Sequence, residues 1–142
     1  MTDLPGKFIE DWHSAIEERS LEKVNALLAE DVNLISPVAF KPFTDRAYIL
    51  KVLENVVATL ENFRYTRSTV LSDGGVLLVF EGEIDGKTLE GIDLIDLDSE
   101  GKVKTLKVMV RPFRVYTKFA FTMAERLGIR SLKMSLLKFF LK

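Results

Sequence analysis

Gly91-Ile92-Asp93-Leu94-Ile95-Asp96-Leu97-Asp98-Ser99-Glu100-Gly101-Lys102-Val103 is the stretch on which the fold turns. Side chains alternate across a strand, so Asp93, Ile95 and Leu97 share one face and Leu94, Asp96 and Asp98 the other. Asp96 and Asp98 mark the wet side. Asp93 is then a lone carboxyl on the apolar side, where an ionised acid is costly unless something compensates it. Two explanations stand at this point: a strand-end acid still reached by water, or an acid lining a pocket. Asp-Ser-Glu-Gly reads as a turn, which makes Thr88 to Leu97 and Val103 to Val115 two strands of a hairpin.

Working outward, the chain reads as β from Tyr65 onward. Tyr65 to Ser72 is a strand, Ser-Asp-Gly-Gly a turn, and Val76 to Ile84 a strand closed by the tight-turn pair Asp85-Gly86. The N-terminal half is helical. Phe8, Ile9, Trp12, Ala15 and Ile16 form a stripe at helical spacing that starts near Pro5, with charged residues opposite. Ser20 caps a short second helix carrying Leu21, Val24, Leu27 and Leu28. Val32 to Val38 is a short strand stopped by Pro37, and Thr44 or Asp45 caps a third helix with Ile49, Leu53, Val56, Val57 and Leu60 on one face. Helices first and antiparallel strands afterwards predict an α+β domain with helices on one face of a bent sheet.

A chain of 142 residues with 47% hydrophobic content is long enough for one domain with a proper core. Its net charge of -1, without a basic run through the main body, argues against nucleic acid as a partner. There is no cysteine and one histidine, His13. Disulfides and thiolate chemistry are thereby excluded, and neither a metal nor another cofactor is expected. The N-terminus resembles no leader, and no run of 18 uncharged apolar residues occurs, so a cytoplasmic location is expected.

The order of these elements resembles a known superfamily. Trp12-His13-Ser14 through Ser36-Pro37-Val38 is similar to the opening of the nuclear transport factor 2-like, or SnoaL-like, domains: an aromatic helix, a short acid-containing helix, Asp-Val, and a strand ending in Pro-Val. Gly91 to Leu106 resembles their penultimate hairpin. The resemblance spans about residues 8 to 113. It implies a cone-shaped α+β barrel of the cystatin-like type, a bent antiparallel sheet and N-terminal helices enclosing a pocket. A homodimer through the outer sheet face and a small apolar ligand are implied as partners.

Within that superfamily the ketosteroid isomerase branch uses a base aspartate before Pro-Val, a tyrosine on the first helix and a neutral aspartate on a late strand. The late aspartate falls on Asp93. Ser36 stands at the base position and Trp12 at that of the tyrosine. A serine hydroxyl without an adjacent base cannot take a substrate proton near neutral pH, so standard steroid isomerisation is not expected. Trp12 offers one donor N–H, although an aromatic in a helical stripe is more simply core. The epoxide hydrolase branch fits less well, because Gly91 stands where its arginine would be and Arg111 falls on the outer face. The polyketide cyclase branch uses a cavity acid with a polar helper, for which His13 is the candidate. The candidate site is therefore Asp93 as the catalytic acid, with Trp12, His13, Ser36, Val38, Phe40, Phe80 and Val108 lining the pocket.

Residues 117–142 extend beyond a SnoaL-like domain of residues 1–116. They carry six basic residues against Glu125 alone, and Gly128 divides two segments rich in Phe, Leu and Met. The extension is expected to pack over the pocket mouth or across a dimer partner, in preference to lying on a membrane surface. Two functions follow: a small hydrophobic ligand-binding protein, extending to isomerase or cyclase chemistry through Asp93, or a non-catalytic pocket or dimerisation module.

Overall fold

The computed structural model describes residues 3–128. Three helices and a strand form the N-terminal half: α1 (Leu4–Glu17), α2 (Leu21–Leu27), β1 (Leu28–Ile35) and α3 (Arg46–Thr59). Then come β2 (Glu61–Val70), β3 (Val76–Ile84), β4 (Lys87–Leu97), β5 (Val103–Arg111) and α4 (Phe113–Leu127). Side-chain caps fix the helix starts, because the first backbone N–H groups of a helix lack internal partners. Asp3 accepts from Gly6 N, Ser20 from Lys23 N, and Asp45, rather than Thr44, from Ala47 N and Tyr48 N. At the start of α3, Arg46 donates to the carbonyls of Asn25, Leu28 and Ala29 and to the Asn25 side chain, tying α3 to α2 and β1.

The strands form one five-stranded sheet in the order β1-β5-β4-β3-β2. β2 to β5 are an antiparallel meander, whereas β1 pairs parallel with β5, so the sheet is mixed and β1 and β2 remain its edges. The β3–β4 turn has positive φ at both Asp85 and Gly86, the primed geometry whose twist suits a two-residue hairpin. On the inner face Val76, Leu78, Phe80, Leu89, Asp93, Ile95 and Leu106 are buried. The helices pack there through Phe8, Trp12, Ile16, Val24 and Ile49 at one end and Leu60, Phe119 and Met123 at the other. The opposite face carries half-buried Leu77, Val79, Ile92 and Leu94, with Met109 exposed.

Three boundaries differ from the sequence reading. β1 begins at Leu28, which belongs to the strand and not to α2. β2 begins at Glu61, before Tyr65. β5 ends at Arg111, and the residues up to Val115 are already helical. Pro112 brings no N–H for a strand ladder and occupies the N-cap of α4, after which Tyr116, Phe119, Ala120, Met123 and Leu127 follow helical spacing. α4 therefore runs across the 116/117 boundary. It ends at Gly128, whose left-handed φ of 69° suits a residue without a Cβ. The second segment of the extension, residues 129–142, lies outside the described residues. Among the described residues no helix is long and apolar enough to cross a membrane.

Candidate functional site

A cavity of about 110 Å³ lies between the inner sheet face and helices α3 and α4. Ser36, Val38, Phe80 and Val108 line it, together with Phe43, Tyr48, Val52, Val56, Tyr116, Phe119 and Met123 among others. None of the described residues that line it is charged.

Three expected lining residues lie elsewhere. Phe40 is fully exposed. The chain leaves β1 at Pro37 and returns only at Phe43, whose N–H and C=O both pair with Leu34, so Phe43 takes the inward position. Trp12 is buried in the core with 1% exposure, stacked on Phe8 at 5.5 Å, and does not reach the cavity. Its single donor is spent internally, on the Tyr65 hydroxyl at 2.9 Å. His13 stacks on the Tyr65 ring, centroids 4.8 Å apart, and borders a separate surface groove with Asn62 and Arg64. Its Nε2 is buried without a hydrogen-bond partner among the described residues. Burial pushes the imidazole pKa down, with Glu17 opposing, so the ring is kept neutral.

Asp93 is 7% exposed on the inner face of β4. It does not itself line the cavity. Its cross-strand partner Val108 and its diagonal neighbour Phe80 do. Gly91 explains how Phe80 sits there: a Cβ at that position would come within 2.3 Å of Phe80 Cζ, so the ring lies across a strand position that must stay bare. Burial raises the Asp93 pKa from 3.8 to about 7, while a hydrogen bond from Tyr65 opposes the rise.

Indole N–H can only donate, so the Tyr65 oxygen accepts from Trp12, and the phenol donates its own proton to Asp93 Oδ2, 3.5 Å away, when that carboxyl is ionised. Burial and the neighbouring carboxylate together push the Tyr65 phenol well up, so it stays protonated. The result is a one-way chain, Trp12 to Tyr65 to Asp93, ending on an acid that near neutral pH can either hold or release a proton. Sequence reasoning missed Tyr65. The available signal was Phe63-Arg64-Tyr65, an aromatic alternation that extends β2 backwards and points both rings inward, where Tyr65 pairs with Phe80.

A bent sheet whose helices close one face over an apolar hollow, with one buried acid beside it, defines a small-cavity α+β cone. A family model described as the SnoaL-like domain matches residues 9–117, and the chain belongs to that family. A crystal structure of a steroid delta-isomerase from Pseudomonas aeruginosa is 30% identical with a TM-score of 0.83, over 90% of this chain and 94% of that one. A conserved bacterial protein with a cystatin-like fold from Silicibacter pomeroyi is 24% identical with a TM-score of 0.79, over 92% of each chain. A de novo designed protein with a curved β-sheet reaches a TM-score of 0.69 at 17% identity, over 90% of this chain and 97% of that one. The last two share the fold alone. No curated protein is significantly similar to the chain in sequence.

Proposed function

We propose that the protein binds a compact, uncharged, largely hydrocarbon ligand in the cavity between the sheet and helices α3 and α4. The observation that carries this reading is a hollow with no charged side chain among the described residues that line it. An ion placed there would lose its hydration without an opposite charge to replace it, whereas apolar surface gains roughly 25 cal/mol for each Å² removed from water. At about 110 Å³ the hollow is smaller than the roughly 150 Å³ cavity known to admit benzene. A one-ring molecule is therefore near the upper limit of this state, and a steroid exceeds it. The half-buried Leu77, Val79, Ile92 and Leu94 on the outer sheet face support a homodimer, and the absence of cysteine is in keeping with a cytoplasmic setting.

Binding of benzene, followed by ligand-detected NMR and by a rise in Tm, tests this reading. Wild type is expected to bind and to be stabilised in proportion to occupancy. Ala120→Leu, which adds branched carbons to the lining, is expected to stay folded and lose the response. Equal responses from the two proteins would place the ligand elsewhere.

A second reading has one observation in its favour, a buried acid with a pKa of about 7 at the end of a donor chain. Asp93 would then act as general acid towards a ligand carbonyl, in line with the likeness to a steroid delta-isomerase. The Ser36 hydroxyl, which accepts from Val38 N at 3.1 Å, remains unsuited to act as base. With no base in place to move a carbon proton, the testable step is the hydrogen bond from neutral Asp93 to the ligand oxygen: cyclohexanone is expected to bind wild type more tightly at about pH 5 than at about pH 9 and to lose that pH dependence in Asp93→Asn. Binding that does not vary with pH in wild type leaves ligand binding alone.

A further inference from the structure

Phe40 is the most exposed large apolar side chain among the described residues, at 103% as open as in an unfolded chain. Its loop is not remote from the cavity: Ser36, Pro37 and Val38 before it and Phe43 after it all belong to the lining. Around that loop the cavity has an apolar rim. Phe80 and Met123 are buried, whereas Val38, Phe43, Tyr48 and Leu127 keep part of their surface in water. Leu127 is the last residue of α4, and Arg126 beside it donates to the Asn55 side chain at 2.9 Å, which ties the end of α4 to α3. The chain therefore leaves α4 through Gly128 at the edge of the cavity, and residues 129–142 follow from that point.

Their composition suits them to cover it. Ile129, Leu132, Leu136, Phe139 and Phe140 recur at the three- and four-residue spacing of one helix face, and residues 129–142 contain no acid. As a helix the segment would span roughly 20 Å, enough to cross the mouth of so small a cavity. Attachment next to the rim also gives it an effective concentration on the order of millimolar there, which a second copy of the chain in dilute solution does not reach.

We propose that residues 129–142 lie across this rim as the outer wall of the cavity, with their apolar side chains over Val38, Phe40 and Phe43, so that a ligand exchanges as the segment lifts. Arg130, Lys133, Lys138 and Lys142 would keep their charged ends in water while their stems lie along apolar surface. The exchange of ligand rests on the cavity being the ligand site. The packing of the segment does not.

Benzene exchange in the full chain tests the closure. Lifting the segment returns Phe40 to water, so Phe40→Ser is expected to speed benzene release roughly tenfold in NMR line shapes, the factor that burial of one Phe is worth at the least. An unchanged rate would mean that Phe40 lies in water throughout, and overturns the proposal. Because the chain has no cysteine, the position of the segment can be measured independently. Phe40→Cys paired in turn with Leu132→Cys, Leu136→Cys or Phe139→Cys is expected to close a disulfide within one chain on mild oxidation, whereas Val70→Cys, beside the β2–β3 turn, is expected to close none with the same three. Absence of a disulfide from Phe40→Cys within the chain, or equal closure by Val70→Cys, overturns the proposal. Disulfides between chains would then assign the rim to a second copy, and cosedimentation with phosphatidylserine vesicles would assign the segment to a membrane. If the folded wild type binds no benzene, the cavity reading fails, and the disulfides still decide where the segment lies.

Discussion

Asp93→Asn is expected to flatten the dependence of stability on pH, leaving the variant more stable than wild type at about pH 8 and less stable at about pH 4. The sign follows from where the proton sits. The folded state raises the Asp93 pKa from 3.8 to about 7, so between those values the native protein holds a proton that the unfolded chain has lost. Wild-type stability therefore falls as pH rises through that window. The favourable contribution is fully present below about pH 3.8 and gone above about pH 7. A pKa difference of that size between the folded and unfolded protein corresponds to about 4 kcal/mol. Asparagine does not titrate, but its amide brings an N–H₂ into a site where Tyr65, the hydrogen-bond partner of Asp93 among the described residues, donates. An unsatisfied donor costs about 1–3 kcal/mol, so the variant should trail wild type by that amount in acid and lead by a comparable amount in base. Urea midpoints measured from acid to base check this. Every other titrating group, His13 included, is common to both proteins and cancels in the difference. Parallel curves would mean that the Asp93 carboxyl titrates alike in the folded and unfolded protein and is not the buried acid described.

That single carboxyl was legible from the sequence because strand alternation is rigid. Once Ile95 is inward, Asp93 must be too. The same rule placed Phe80 and Val108, while the Pro-Val after β1 placed Ser36 and Val38. What stayed hidden depends on contacts that local patterns do not encode. Tyr65 meets Trp12 across 53 residues and Asp93 across 28, and nothing near any of the three announces the chain they form. Phe40 and Phe43 are equivalent by composition. Only the return of the loop to pair with Leu34 decides between them. α4 was obscured by its own first residues, because Phe113-Arg114-Val115 alternates like a strand, although its apolar positions are out of phase with Val108 and Val110 across Pro112. The helix stripe begins only at Tyr116, and with it come the residues that close the cavity.

Trp12 is where the largest loss of stability is expected. Trp12→Ala removes a fully buried indole between Phe8 and the sheet and should cost about 3–5 kcal/mol, the range for deleting a large core aromatic. Much of that is volume, so Trp12→Phe is the sharper variant. It keeps a ring beside Phe8 but withdraws the N–H, leaving the Tyr65 oxygen without its donor and its proton free to turn away from Asp93. A cost of about 1–3 kcal/mol is expected from the lost hydrogen bond. A further rise in the Asp93 pKa should accompany it, because donation from Tyr65 is what holds that pKa down. Tyr65→Phe separates this from mere packing. With the phenol gone, Trp12 has no acceptor to lose, so Trp12→Phe should cost less in the Tyr65→Phe background, with a coupling of about 0.5–3 kcal/mol between contacting residues. Equal costs in the two backgrounds would show that Trp12 acts by filling space alone. The hydrogen-bond chain would then not be what orients Tyr65 towards the buried acid.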